Sequence, residues 1–455
     1  MDVNELRSLR PELDGLMERY LPLFGREENH SHASIFVQGL LAKGERRNVE
    51  NIAESMEGGV VRTLQKFISQ AVWDDRAVLD ELREHMKEEL AHDEGVVNVD
   101  ETGFPKKGTK SVGVKRQYAG TLGRTDNCQV GVFLNYYSAE GHVLFDRRVF
   151  LPEEWAADPV RRKEAGVPEN VVFRTKPELA LGMLQEAVRG GLAFRWVGGD
   201  GLYGDSPTFV QGVRALRKWY VLDSSADAHV WLEAPTVRRP GEPGRRGGRP
   251  ATRIKAVEKP RPLSEVLKTI PASEWRRVTV AEGSQGPRVY EYVERTVWFS
   301  EGGSPAEQPE RLLIRRSVDQ QADVKFQRSN APASVLLQRL AEVGGCRWTI
   351  EEGFQCGKGE CGLDEYEARG WIAWHHHTAL SLLALWFLTQ QRRRLGKKRT
   401  ADDRPRSPRS AATSTRSAAV ERTRNPRVVG LAARTQHLGK SLPQASPRPS
   451  AARVK

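Results

Sequence analysis

The 455-residue chain is 38% hydrophobic with a formal charge of +12, which suffices for a real core and for two or three domains. Four cysteines are too few for a disulfide scaffold and point to a reducing compartment. The longest apolar run, Ala379 to Leu388, is too short to cross a bilayer, and the acidic start Met1-Asp2-Val3-Asn4-Glu5 is no signal peptide. The expectation is a soluble cytoplasmic protein with no membrane partner.

The N-terminal part, residues 1–92, reads as helical. Leu6, Leu9, Leu13 and Leu16 recur at helical spacing, as do Ile35, Val37, Leu40 and Leu41. Asn48 suits the cap of a helix to Met56, Gly58-Gly59 breaks it, and Val60 to Val72 forms a second helix. This pair is compatible with a helix–turn–helix DNA reader and equally with generic helix packing.

At Gly95 the period changes. Gly95 to Asp100 is a short apolar strand ending in an acid; Arg116–Thr121, Gln129–Tyr137 and His142–Phe150 follow as strands, the last two joined at Ala139-Glu140-Gly141. Lys176–Arg189 is a helix with Pro177 in its first turn, Ala193–Val197 a strand before Gly198-Gly199-Asp200, Ser206–Lys218 a helix, and Trp219–Leu222 a strand. Such alternation predicts an α/β core over residues 93–223. Residues 224–330 read as a β-rich insertion, with strands at Arg276–Ala281, Arg288–Phe299 and Arg311–Arg316 around a Gly/Pro/Arg loop at Pro240–Pro250. Helices then resume over residues 331–391, at Ala333–Val343, Thr349–Gly362 and Trp371–Gln391.

The charge is unevenly spread. From Gln391 onward 18 Lys/Arg face three acids, a net of +15, so the first 390 residues sum to −3. Residues 392–455 are Ser/Pro/Arg/Ala-rich without hydrophobic period, and predict a disordered basic tail. Such a tail binds polyanions by counterion release or is simply solvated.

Three carboxylates carry the chemistry. Asp100 ends a hydrophobic strand ahead of a Gly/Lys loop containing Lys106 and Lys107; Asp200 ends another, after two glycines; Glu351 lies on a helix, four residues after Arg347 and seven before Lys358, all on one stripe. Strand ends of an α/β sheet are where ligands bind. Carboxylates there could hold two Mg2+ ions for an in-line displacement at phosphorus, with Arg347 and Lys358 on phosphates. Each feature alone is common. Glu352 and Asp205 are the nearest rivals; Glu352 is off the stripe and Asp205 lies beyond the strand end. His375-His376-His377 point in different directions along a helix and make a poor metal site. Cys356 and Cys361 have no second pair at zinc-finger spacing and read as free thiols.

At these residues the chain resembles bacterial insertion-sequence DDE transposases of the insertion sequence 701 family. The matching text is Val99-Asp100-Glu101-Thr102-Gly103-Phe104-Pro105-Lys106-Lys107-Gly108, then Gly199-Asp200-Gly201-Leu202-Tyr203-Gly204, Arg347-Trp348-Thr349-Ile350-Glu351-Glu352-Gly353-Phe354 and Lys358-Gly359-Glu360-Cys361-Gly362-Leu363. The resemblance implies an RNase H-like catalytic core interrupted by the β-rich insertion, with Asp100, Asp200 and Glu351 as catalytic, metal-binding acids. It implies Mg2+, with Mn2+ as a substitute, and cutting and joining of double-stranded DNA at terminal inverted repeats and a target. It also implies a homodimer on paired ends at the nucleoid. The DNA-contacting set would be Arg347, Lys358, Lys106, Lys107 and Trp298; Trp298 either stacks a flipped base or packs in the core. The family's Tyr-Arg-Glu-Lys signature puts a tyrosine three residues before the arginine, where this chain has Gly344. Two other readings stay open: a non-catalytic, domesticated or decayed DNA-binding protein, and an RNase H-like nuclease of other function.

Overall fold

The computed structural model describes residues 9–402 except 43, 45, 120–122, 242–251, 284–285 and 320–322. The disorder expected of residues 392–455 falls, from residue 403 on, outside the described residues. Among the described residues five α-helices come first: α1 (Arg10–Tyr20), α2 (Glu27–Leu41), α3 (Val49–Ser55), α4 (Val61–Ser69) and α5 (Asp75–Leu90). The leucine spacing read in the sequence is the buried stripe of α1, with Leu13, Leu16, Met17 and Tyr20 inside. Asn48 caps α3 by accepting the Asn51 amide at 2.9 Å.

Strands β1 (Val96–Pro105), β2 (Lys115–Ala119), β3 (Arg124–Ser138) and β4 (Gly141–Val149) follow, then α6 (Lys176–Arg189), β5 (Trp196–Gly199), α7 (Pro207–Ala215) and β6 (Trp219–Ser224). Thr175 and Glu178 form a capping box at the start of α6. The central strands lie in the order β4-β3-β1-β5-β6, with β1, β3 and β4 antiparallel and β1, β5 and β6 parallel. Val96, Val97 and Val99 on β1 are buried, as expected of a strand covered on both faces. One expectation is corrected here. Asp100 does not end its strand: β1 runs on to Pro105 because the long β3 pairs with it throughout, whereas the β5 ladder stops at Val99–Gly199.

The following residues extend the same sheet. β7 (His229–Trp231), β8 (Arg261–Pro262), helix α8 (Leu263–Lys268), β9 (Arg276–Gly283), β10 (Gly286–Glu301), β11 (Ser304–Pro305), β12 (Glu310–Ser317) and β13 (Val324–Ser329) bring the total to 13 strands. Sequence reading missed β13, which alternates charged and apolar residues over a short span. It is the joint between the two parts, pairing with β12 on one side and β6 on the other. The sheet therefore runs unbroken from the central strands into this β-rich segment.

Three helices close the fold: α9 (Leu337–Gly345), α10 (Trp348–Cys361) and α11 (Trp371–Asp402). α11 continues as helix beyond Gln391, where the tail was expected to begin. It buries Trp374, Leu380, Leu383, Trp386 and Phe387, each contributing about 2–3 kcal/mol of burial free energy. Its three histidines are structural. His375, His376 and His377 meet the carbonyls of Trp371, Trp73 and Gly362 at 2.8, 3.2 and 2.9 Å, in three separate places. Burial pushes His375 down to about 3 and His377 to about 4, so they stay neutral. A buried charge lattice ties α5 and α11 to β4: Asp146 accepts from Arg76 at 2.7 Å and Arg148 at 2.8 Å, while Arg147 donates to Asp75 at 2.7 Å and the His375 carbonyl at 2.6 Å. No helix among the described residues is long and apolar enough to cross a membrane.

Candidate active site

Asp100 and Asp200 come together because their strands are parallel neighbours in register. Val99 faces Gly199 across the ladder, so the next residue on each strand is a carboxylate. Asp200 then leaves the sheet and caps the short helix Gly201–Gly204, accepting the Leu202 amide at 3.0 Å. The glycines before it are needed. A Cβ on Gly198 would lie 2.1 Å from the Asn98 Oδ1, so any side chain there would displace Asn98.

Asn98 has its own task. Its amide donates to the Cys346 carbonyl at 3.2 Å and lies 3.4 Å from the Thr349 hydroxyl, which also accepts from Asn135 at 2.9 Å. These buried bonds fix the start of α10 against β1 and β3, and they aim Arg347. The guanidinium reaches Asp100 Oδ2 with Nη1 at 3.3 Å, Glu351 Oε1 with Nη2 at 2.7 Å, and Asp223 Oδ2 with Nε at 3.7 Å. Arg347 thus links two of the three expected acids. Glu351 is the outermost, its side chain 58% exposed. Among the described residues no three His, Cys, Asp or Glu side chains are grouped closely enough to cage a metal ion.

Electrostatics mark Asp100. Burial raises its pKa, the charges of Asp200 and Glu101 raise it further, and Arg347 only partly opposes them; the carboxyl is pushed up to about 7. Asp200 is raised as well, by burial first and then by Glu101 and Asp223, against the pull of the Leu202 amide and Arg347. Glu101 is held aside by Lys176 at 2.8 Å and the buried Tyr203 hydroxyl at 2.7 Å. Two adjoining, desolvated carboxylates whose charge a single guanidinium does not balance form a hard-oxygen donor set. Such a set fits a divalent cation such as Mg2+. The residues fit the group through Asp100 and Asp200, with Glu351 tethered beside them.

The rivals are turned away. Glu352 meets His142 at 3.2 Å, and Asp205 accepts from the Ser225 amide at 2.9 Å as a turn latch. Of the expected DNA contacts, Arg347 alone meets the acids. Lys358 donates to the Gly103 carbonyl at 3.0 Å, three residues and roughly 10 Å along β1 from Asp100 at a normal strand rise. Lys106 donates to the Tyr366 carbonyl at 2.9 Å over the ring of that tyrosine, and burial lowers it to about 8. Lys107 is exposed on the rim of a cleft of about 800 Å³ bounded by Arg46, Lys110 and Arg369. Trp298 is half-buried on β10, opposite Trp231.

Two residues were missed. Asp223 ends the apolar run Tyr220-Val221-Leu222, the same signal that singled out Asp100 and Asp200. Gln327, on the unrecognised β13, donates to Asp223 at 2.8 Å. Gln327 also accounts for Gly344: a Cβ there would lie 2.8 Å from the Gln327 amide, so β13 fills the space expected of the tyrosine.

An acidic pair beside a guanidinium on a mixed sheet defines a candidate phosphoryl-transfer centre. The chain belongs to the DDE superfamily endonucleases, whose family model matches residues 19–287. That span holds Asp100, Asp200 and Asp223 but not Arg347 or Glu351. The chain is similar to the probable transposase for insertion sequence element IS701 of Microchaete diplosiphon, 29% identical over 195 residues, 42% of this chain and 48% of that relative. The match thus spans about half of the relative's length. The NurA nuclease from Sulfolobus solfataricus aligns at 8% identity with a TM-score of 0.24, over 76% of this chain and 95% of that one; so loose a likeness bears no weight.

Proposed function

We propose that this chain is a DDE transposase that cuts and joins double-stranded DNA at the terminal inverted repeats of an insertion sequence, dependent on Mg2+. The single observation that carries this reading is the pairing of Asp100 with Asp200 at adjoining parallel strands, both desolvated and both raised in pKa. The order β4-β3-β1-β5-β6, with its antiparallel and parallel halves, supports an RNase H-like core over residues 93–223 and 331–391. On this reading residues 1–92 form a helical N-terminal domain and residues 224–330 a β-rich insertion.

Asp100 and Asp200 would hold the divalent ion, with Glu351 completing the set. When bound, the ion lowers the pKa of a water or 3′-hydroxyl and stabilises the leaving oxygen. Asp100 must be ionised to serve, so its high proton affinity makes cation and proton compete for the same oxygens. Arg347 neutralises Asp100 and orients Glu351, and its remaining N–H groups can donate hydrogen bonds to a phosphate oxygen. DNA at paired ends implies a homodimer.

The exposure of Glu351, and its tie to Arg347, favour one alternative: a DNA-binding protein without catalysis. Incubating the protein with DNA carrying its element's ends and Mg2+ separates the two. Cleavage by wild type and loss in Asp100→Asn and Asp200→Asn support the transposase. End-binding without cleavage in Mg2+ or Mn2+ supports the alternative.

A further inference from the structure

Beside the acids lies a second, oppositely charged recess. A pocket of about 150 Å³ is lined by four cations, Arg288 of β10, Arg315 of β12, Lys325 of β13 and Arg347, with Trp348 at the start of α10 and a single carboxylate, Asp223. The sheet register builds it: Arg315 stands opposite Lys325, and Gln327, two residues on, stands opposite Asp223. Side chains directly opposite, or two apart on one strand, share a face. The basic row therefore continues the face that carries Asp223.

Its cations differ from their neighbours. Arg316, on the other face of β12, pairs with Glu291 at 2.7 Å, and Arg311 also pairs with a carboxylate, Glu294, at 2.5 Å. Among the described residues Arg288, Arg315 and Lys325 form no ion pair. Two of them rest on aromatic rings instead, Arg315 4.2 Å from the Tyr290 centroid and Arg288 5.0 Å from that of Trp348. Stacking holds a guanidinium in place and leaves its N–H edge free to donate. Trp348 is 40% exposed, so part of its ring remains open to a base.

We propose that this pocket is a phosphate-binding subsite for the nucleic-acid strand that passes the acidic centre. Its volume suits one phosphate group with part of its sugar and is too small for a whole nucleotide. Arg288, Arg315 and Lys325 donate to the phosphate, and Trp348 takes a neighbouring base at the rim. Arg347 belongs to both places, so seating a phosphate here draws on the guanidinium that otherwise neutralises Asp100 and Asp223. The proposal rests on the transposase reading only in taking nucleic acid as the polymer.

The test is binding of a fluorescent single-stranded oligodeoxynucleotide to the full chain in EDTA, across a salt series. Arg288→Gln/Arg315→Gln/Lys325→Gln should bind about tenfold more weakly and lower the slope of log affinity against log salt by about 0.7, the value for one phosphate contact on a single strand. Wild-type affinity and slope in that variant overturn the subsite. On the unsubstituted protein, the oligonucleotide should protect Lys325 from amine acetylation, read by mass spectrometry, and inorganic phosphate at equal concentration should not. Unchanged Lys325 labelling, or equal protection by inorganic phosphate, overturns it as well. None of these measurements needs metal or cleavage. Loss of the subsite thus leaves the Asp100 and Asp200 cleavage test standing, and failure of that test leaves the binding result readable.

Discussion

Where β1, β5 and β6 meet α10, the molecule gathers Asp100, Asp200 and Asp223 around one guanidinium. Two strands further along, β13 and β12 present Lys325 and Arg315 with no carboxylate partner among the described residues. Both regions carry like charges in partly desolvated surroundings, so neither is at its most stable alone. The acids call for a cation and the basic pocket for an anion. A phosphodiester with a divalent ion supplies both, and Arg347 is the side chain that touches both. The difference teaches that where chemistry is proposed one guanidinium is shared among several carboxylates and three nearby cations form no ion pair, whereas the Asp146 lattice pairs its charges.

The comparison breaks first at the acids. Asp100→Asn and Asp200→Asn should each lower cleavage of element ends by about 10³-fold, since metal-held charge supplies several kcal/mol of transition-state stabilisation. Glu351→Gln should lose activity comparably. A single-turnover cleavage assay on the three variants decides whether Glu351 belongs with the buried pair.

A pH titration sharpens the point without catalysis. The folded Asp100 carboxyl is pushed up to about 7, above its ordinary value of 3.8. Its contribution is therefore full below about pH 4 and is lost as pH rises through about 7, roughly 4 kcal/mol at most. Melting temperature in EDTA should fall over that window and recover with Mg2+ at high pH; both responses should weaken in Asp100→Asn, with Asp200, also raised, supplying what remains.

Removing the shared guanidinium comes next. Arg347→Ala strands Asp100 and Asp223 and should cost about 3 kcal/mol in denaturant melts. Combining it with Asp100→Asn should recover part of the loss, because the two side chains interact directly. Gly198→Ala follows at about 2 kcal/mol, by pushing Asn98 off the α10 anchor. The smallest effect expected is on the stability of Glu351→Gln, below about 0.5 kcal/mol, since the Glu351 side of its ion pair is largely exposed. A larger loss there would mean that Glu351 holds the fold together.

Local pattern determined a good deal of this protein. The period change at Gly95, the hairpin at Gly141 and the helix from Lys176 with Pro177 in its first turn follow from neighbouring residues, and Asp100, Asp200 and Glu351 stand out as candidates in the same way, because helix and strand periods and turn chemistry act over a few positions. Tertiary structure decided the rest. Asp223 shared the strand-end signal, but only the β5–β6 ladder sets it beside Asp200. Gln327, about a hundred residues later, meets Asp223 only through the β6–β13 pairing, and that contact explains Gly344. Lys358 shares the helical stripe of Glu351, yet it turns to the Gly103 carbonyl, because a stripe spans two turns and the acids occupy one end of it. Register between distant strands is fixed by packing and hydrogen bonding of the whole sheet. For that reason the partners of Arg347, and the unpaired cations beyond it, are properties of the fold.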